Sequence, residues 1–302
     1  MYMKLIAPSY YPSFKCIGGS CRHSCCVGWE IDIDEKTSEY YKSVGGAFGK
    51  RLAENIDFNS ETTHFRLCDG ERCPFLNSEN LCDIILNLGE DRLCQICDDH
   101  PRYRNFYSDR TEIGLGLCCE AAVELIIGNK EKATLITLSD DGAEGGVDVE
   151  DELLLDMRDR IFGILQDREK NIDERISTLF RVFELSMPDR TQTEWTDVYL
   201  SLERLDERWE EMLLRLKSEP VKVGYSDEIA CEQLLVYFIY RHLADGLYDR
   251  MINERIKFSV LSLDMILAIS SANGESISEV ARAYSSEIEY SEDNIEKLLS
   301  VL

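Results

Sequence analysis

A mainly α fold is expected, with an irregular, cysteine-rich N-terminal part packed on a C-terminal helical bundle. Three observations predict it. Eleven of the twelve cysteines fall between Cys16 and Cys119. Glycines at 18, 19, 28, 45, 46, 70 and 89 cut that front half into short segments, as loops wrapped around a ligand require. From about residue 151 the pattern changes to long amphipathic helical stretches.

Taken in order, Ile31 and Ile33 alternate with Asp32 and Asp34, which predicts a short strand after Trp29. Residues 35–55 suit one or two helices, and Ala121–Ile127 another. The acidic, glycine-rich segment 129–150 reads as a linker. Beyond it, Leu154, Met157, Ile161, Ile164 and Leu165 share one helical face. Asn171 and Glu174 have capping-box spacing, as do Ser276 and Glu279. Trp195, Val198, Leu202, Leu205, Trp209, Met212 and Leu216 recur at steps of three and four over 194–217, and such a stripe is read as core. Residues 227–244 and 254–272 are apolar on most sides and are read as central helices, and a short helix ends the chain. The implied domains are 1–128, rich in cysteine; 129–150, a linker; and 151–302, helical.

A net charge of −25 argues against non-specific nucleic-acid binding, which needs Lys and Arg facing phosphates. It suits solubility and, more weakly, a basic or lysine-bearing partner. The longest apolar run, Leu234 to Tyr240, falls far short of the ~20 residues that cross a bilayer, so no membrane segment is expected. The N-terminus does not read as a signal peptide. The expected compartment is therefore the cytoplasm, where thiols stay reduced.

That compartment bears on the cysteines. A disulfide framework needs oxidising surroundings. Structural zinc takes four ligands, commonly from paired knuckles. Cys94-Gln95-Ile96-Cys97 is one such knuckle and Cys21 with Cys25 a looser second, but zinc would leave most thiols unused. Iron–sulfur clusters take thiolates almost exclusively and accept them from irregular loops. Domain 1–128 is therefore read as an iron–sulfur domain, with 4Fe–4S favoured and zinc as the alternative. The spacing matches neither a two-cluster ferredoxin nor the C-x3-C-x2-C loop of radical S-adenosylmethionine enzymes, since Gly28 stands two residues after Cys26. His23 and His100 could ligate metal or form local hydrogen bonds. Cys25 and Cys26 are adjacent, so their side chains are expected to diverge. Cys231, alone on an apolar helix, reads as a buried apolar residue.

The motifs carry a resemblance. FKCIGGSCRHSCCVGWEIDID resembles the opening of the flagellin lysine-N-methylase family, matching its pattern at Cys16, Cys21, Cys25, Cys26, Gly28 and Trp29. CPFLNSENLCDI resembles a second segment, at Cys73, Pro74 and Cys82. LGEDRLCQICDDHPR resembles a third, at Cys97, Pro101 and Arg102, and LCCEAAVELI a fourth, at Cys118. Cys119 stands where the family has proline, and the helical tail is also similar, so the likeness runs over nearly the whole chain. Within the broader group of zinc- or iron-chelating cysteine-cluster proteins, this resemblance implies a lysine methyltransferase. It would move methyl groups from S-adenosylmethionine to lysine ε-amines of flagellin or another lysine-bearing protein.

The implied metal ligands are Cys16, Cys21, Cys25, Cys26, Cys73, Cys82, Cys97 and Cys118, with Cys68, Cys94 and Cys119 in second rank. Arg102 could hold a cluster sulfide, a substrate carboxylate or a neighbouring acid. No glycine-rich dinucleotide-type loop is present, so the donor would bind by another route, at the cluster or between the domains. The competing reading is a non-enzymatic metal-binding or redox-sensing module that docks a partner protein.

Overall fold

The computed structural model describes residues 4–142 and 146–302. The chain forms two compact units. One is Lys15–Arg102; the other joins the chain up to Phe14 to Tyr103–Leu302. The first strand, β1 (Lys4–Pro8), belongs to the larger unit. The cysteine-rich unit is thus an insertion between β1 and its sheet partners.

In the inserted unit, α1 (Glu35–Ser43) and α2 (Gly46–Asn55) fulfil the expectation for 35–55. Asp34 caps α1 by accepting the Thr37 N–H at 2.9 Å. Two-residue strands β2 (Ile56–Asp57) and β3 (His64–Phe65) pair antiparallel. The expected strand at 31–34 is reduced to one bridge, Asp32 to His64, although Ile31 and Ile33 are buried. One-turn helices α3 (Asp83–Leu88) and α4 (Gln95–Asp99) follow. The core is small: Ile31, Ile33, Tyr41, Leu52, Ile56, Phe65, Phe75, Leu76 and Ile84, with the thiols of Cys73 and Cys94 among them.

After the insertion the larger unit continues with β4 (Arg102–Phe106) and β5 (Arg110–Leu115), then α5 (Glu120–Ile127) and β6 (Leu135–Ser139). The strands form one sheet in the order β4-β5-β1-β6, with β1 parallel to β5 and antiparallel to β6. Two sequence expectations are corrected here. Residues 103–128 fold with the helices rather than with the cysteines, and the linker 129–150 contains a sheet strand and the start of α6. Part of that linker, 143–145, lies outside the described residues. The strand escaped notice because Leu135 and Ile136 are half-buried and the rest of β6 is exposed, which leaves little alternation to read.

Helices α6 (Val149–Leu165), α7 (Ile172–Val182), α8 (Gln192–Leu200) and α9 (Glu207–Ser218) come next, then α10 (Glu228–His242). After them come α11 (Gly246–Asp249), α12 (Ile252–Asn273), α13 (Ile277–Tyr284) and α14 (Glu292–Ser300). The Asn171–Glu174 capping box forms with both hydrogen bonds at 3.0 Å, and Ser276 caps α13. The continuous stripe over 194–217 is interrupted. Residues 201–206 leave the helix, and Leu205 is 75% exposed, while Trp195, Leu202, Trp209, Met212 and Leu216 are buried.

Every residue of α10 from Ala230 to His242 is buried. This helix packs against α5, α6, α7 and α12, so it is the axis of the unit. Among the described residues, α12 is long and apolar enough to cross a bilayer, but 78% of its most apolar window is buried in the fold. The sheet is tied to the helices by Tyr240, whose hydroxyl donates to the Ile113 carbonyl at 3.3 Å. Glu112 and Arg158, both buried, add an ion pair there.

Candidate metal centre

Short backbone pairings bring distant thiols together. The Cys73 N–H donates to the Cys26 carbonyl at 2.8 Å, and Gly28 N–H to Glu71 at 3.1 Å, so 26–28 run beside 71–73. The Cys68–Arg72 turn closes at 2.7 Å over Gly70, whose positive φ (71°) suits glycine. Asp83 N–H then donates to the Phe75 carbonyl at 2.8 Å, and Leu76 bridges Cys82, which sets Cys82 at the start of α3. Arg51 clamps this turn, donating to Asp83 and to the Pro74 carbonyl, each at 2.7 Å.

The last pair of thiols is positioned by α1. Asp34, already its cap, also accepts the Gln95 N–H at 2.9 Å, and Tyr41 donates to the Arg92 carbonyl at 2.8 Å. Cys94 therefore sits at the start of α4 with Cys97 on its first turn.

Five thiols share the resulting apolar neighbourhood. Cys73 and Cys94 are buried; Cys26, Cys82 and Cys97 pack against the same core. Two thiol–thiol hydrogen bonds form, Cys25 to Cys26 and Cys94 to Cys97. As expected of neighbours, Cys25 and Cys26 sit differently: Cys26 packs against the core and Cys25 is exposed. The hydrogen bond from Cys25, with Ser24 and the charge of Arg72, brings the Cys26 thiol down to about 7 despite its burial. The hydrogen bond from Cys97 lowers Cys94. Burial pushes Cys73 up to about 12 and raises Cys82. Donation to Cys94, then burial, raises Cys97 far above the ordinary thiol range. Cys73, Cys82 and Cys97 thus resist ionisation, and a bound cation is what reverses that.

Among the described residues, no group of three His, Cys, Asp or Glu side chains is arranged to hold a single metal ion. The fit is one of donor chemistry: soft sulfur donors in an apolar neighbourhood suit thiophilic metal. In a multi-iron cluster each sulfur binds a separate iron, so three sulfurs need not converge on one ion.

The chain matches curated proteins from Salmonella. Lysine-N-methylases of Salmonella typhimurium and Salmonella choleraesuis are each 26% identical over 138 residues, covering 42% of this chain and 33% of theirs. The flagellar biosynthetic protein FliU of Salmonella muenchen is 26% identical over 138 residues, 42% of this chain and 79% of its own. Over this stretch the chain is similar to lysine-N-methylases. It spans about a third of the length of those methylases, and the aligned stretch is shorter than the near-whole likeness read from the motifs. No protein-family model matches it, and no solved structure does.

The other candidate residues do not belong to the core that the five thiols share. Cys16, Cys25 and Cys68 are exposed, and Cys21 is half-buried with its thiol on the His23 carbonyl at 3.3 Å. Cys118 and Cys119 belong to the larger unit. The Cys118 thiol donates to the Tyr290 hydroxyl at 3.2 Å, burial holds it at about 11, and Cys119 is the N-terminal flank of α5. His100 is held neutral, its pKa brought to about 4 by burial and then by Arg102. Arg102 donates to the Asp98 carbonyl at 2.7 Å. Cys231 is fully buried, as expected.

Sequence reasoning missed a buried polar cluster beside Cys118. A π-helical turn, Ser285–Glu289, turns Glu289 inward. Glu289 accepts from the Tyr237 hydroxyl at 3.1 Å, bonds His242 at 2.7 Å and pairs with Arg241 at 3.3 Å. The Arg241 guanidinium lies 4.9 Å and 5.0 Å from the ring centroids of Tyr103 and Tyr290. It fixes Tyr290, half-exposed, against the Cys118 thiol. The available signal was Arg241-His242 at the end of the most apolar run in the chain.

Proposed function

We propose that this protein transfers methyl groups to lysine ε-amines of a protein substrate, flagellin or a similar lysine-bearing protein, with S-adenosylmethionine as donor. The observation that carries this reading is the similarity to proteins named lysine-N-methylase. The flagellar name of the third relative supports the choice of substrate. Cys26, Cys73, Cys82 and Cys97, four of the ligands implied by sequence, share one apolar neighbourhood and would hold the metal, an iron–sulfur cluster in preference to zinc. When bound, that group supplies a fixed positive charge and a scaffold for the loops between these cysteines.

The transfer forms an N–C bond and breaks the donor's S–C bond, and the nitrogen must attack as the free amine. Lysine, ordinarily near pKa ~10.4, must therefore lose a proton first. Burial of the amine, or a neighbouring acceptor, favours that loss.

A second reading is favoured by the length of the match, a third of the methylases. In it, the chain is a metal-binding or redox-sensing module that docks a partner and transfers nothing. Anaerobically purified protein incubated with methyl-labelled S-adenosylmethionine and flagellin separates the two. Methyl-lysine on flagellin is expected by mass spectrometry. No transfer by metal-replete protein that binds flagellin would establish the module instead.

A further inference from the structure

We infer that Cys94, outside the family's cysteine pattern, is a metal ligand, and that Cys68, equally outside it, is not. This rests on the proposed metal centre and names one of its donors.

Both thiols stand in second rank by sequence and both lie in the Lys15–Arg102 unit, yet the fold treats them oppositely. Cys68 is exposed, at the end of the Cys68–Arg72 turn. Cys94 is 1% exposed and is part of the small core, with Cys73 beside it in the same cluster. It stands at the start of α4, with Cys97 on the first turn of that helix, and Cys82 and Cys97 pack against the same core.

The position is also braced. The segment before it is held by Tyr41 on the Arg92 carbonyl, and the segment after it by Asp34 on the Gln95 N–H. Those two side chains come from α1 and its cap, so helix formation places the Cys94–Cys97 pair before any metal arrives. An apolar side chain would fill the same space without a sulfur; a buried thiol contacting a ligand thiol is the arrangement of a two-residue-spaced metal knuckle.

The test uses full-length, anaerobically purified protein, read by iron, sulfide and zinc content and by visible absorption. Cys94→Ser is expected to lose at least half of the bound metal, or to shift its absorption, while Cys68→Ser matches the parent. Ile96→Ala, which loosens packing against the same core but keeps both sulfurs, is expected to retain the metal. Selenocysteine at position 94 (Cys94→Sec) keeps the packing and reports bonding directly. Selenium-edge X-ray absorption is expected to show a directly bonded iron or zinc.

Full metal content in Cys94→Ser, equal loss in Cys68→Ser or Ile96→Ala, or selenium with no metal neighbour overturns the inference. In each of these cases the parent still holds metal and the proposed centre stands. A parent protein that holds no metal overturns the centre itself.

Discussion

The two units bury their side chains by different means. The larger one surrounds α10 and α12 with a wide apolar core, in which Leu234, Leu235, Phe238, Ile256, Leu263 and Ile266 are fully buried. The Lys15–Arg102 unit has four short helices, two two-residue strands and a core of eleven side chains, two of them cysteines. A core of eleven side chains is thin for a unit of that length, so a staple would add most there. On the proposed reading, a metal's structural contribution falls in the inserted unit, whose loops are long and whose core is thin.

The sharpest way to break the comparison is to strip the metal with a chelator under reducing conditions. Hydrogen exchange in residues 15–102 is expected to lose protection by several kcal/mol, roughly the scale of structural metal sites, while α10 and α12 keep theirs. Uniform loss across both units, or no change in 15–102, would contradict it.

Next in size is a matched pair of deletions. Phe75 is fully buried, edge-on to Phe65 at 5.2 Å and beside Arg51. Phe75→Ala should cost about 3–5 kcal/mol and Leu263→Ala about 2–5 kcal/mol. The first is expected to unfold the inserted unit outright, and the second only to lower the melting temperature of the helical unit. Local exchange rates distinguish these outcomes.

A smaller effect is expected at Asp264 on α12. Burial, and then Asp173, raise its carboxyl to about 6, although the Tyr225 hydroxyl donates to it at 2.7 Å. The folded pKa lies above the unfolded one. The contribution of this group is therefore complete below about pH 4 and is lost as pH rises through 6. Asp264→Asn should stabilise the protein by about 1–3 kcal/mol at pH 8 and leave it unchanged at pH 4. Denaturant melts at the two pH values test this, and an equal effect at both would contradict it.

The smallest concerns Cys231. Its thiol, raised to about 12 by burial, sits in the apolar axis. Cys231→Ala should cost about 1 kcal/mol, as a small cavity does, with metal content unchanged. Reduced metal would place a donor in the helical unit.

The contrast also marks what was legible from residues alone. Period-3.6 patterning located α6, runs apolar on most sides located α10 and α12, and the cap spacing at Asn171 and Ser276 identified true helix starts, because these signals are local. The break at 201–206 was not legible, since Leu202 and Leu205 keep the step although one is buried and the other exposed. Nor was the sheet, whose pairing joins residues from opposite sides of the insertion. In the candidate centre, motif likeness named Cys26, Cys73, Cys82 and Cys97. It set exposed Cys16 level with them and buried Cys94 below, because spacing carries no record of which loop ends pack inward. The Glu289 cluster was hidden for the same reason, its members being contributed by α10 and a π-turn nearly fifty residues later.

One feature of the topology has a consequence for biogenesis. Lys4 lies opposite Arg110 in the parallel pairing of β1 with β5. During synthesis the first strand must wait for its partner while the whole insert emerges. An uncollapsed insert makes that a long closure, and a compact one shortens it. Supply of metal to the nascent chain would then set how quickly the opening strand finds its seat, so starvation for iron or zinc should show first as slow maturation of the helical half.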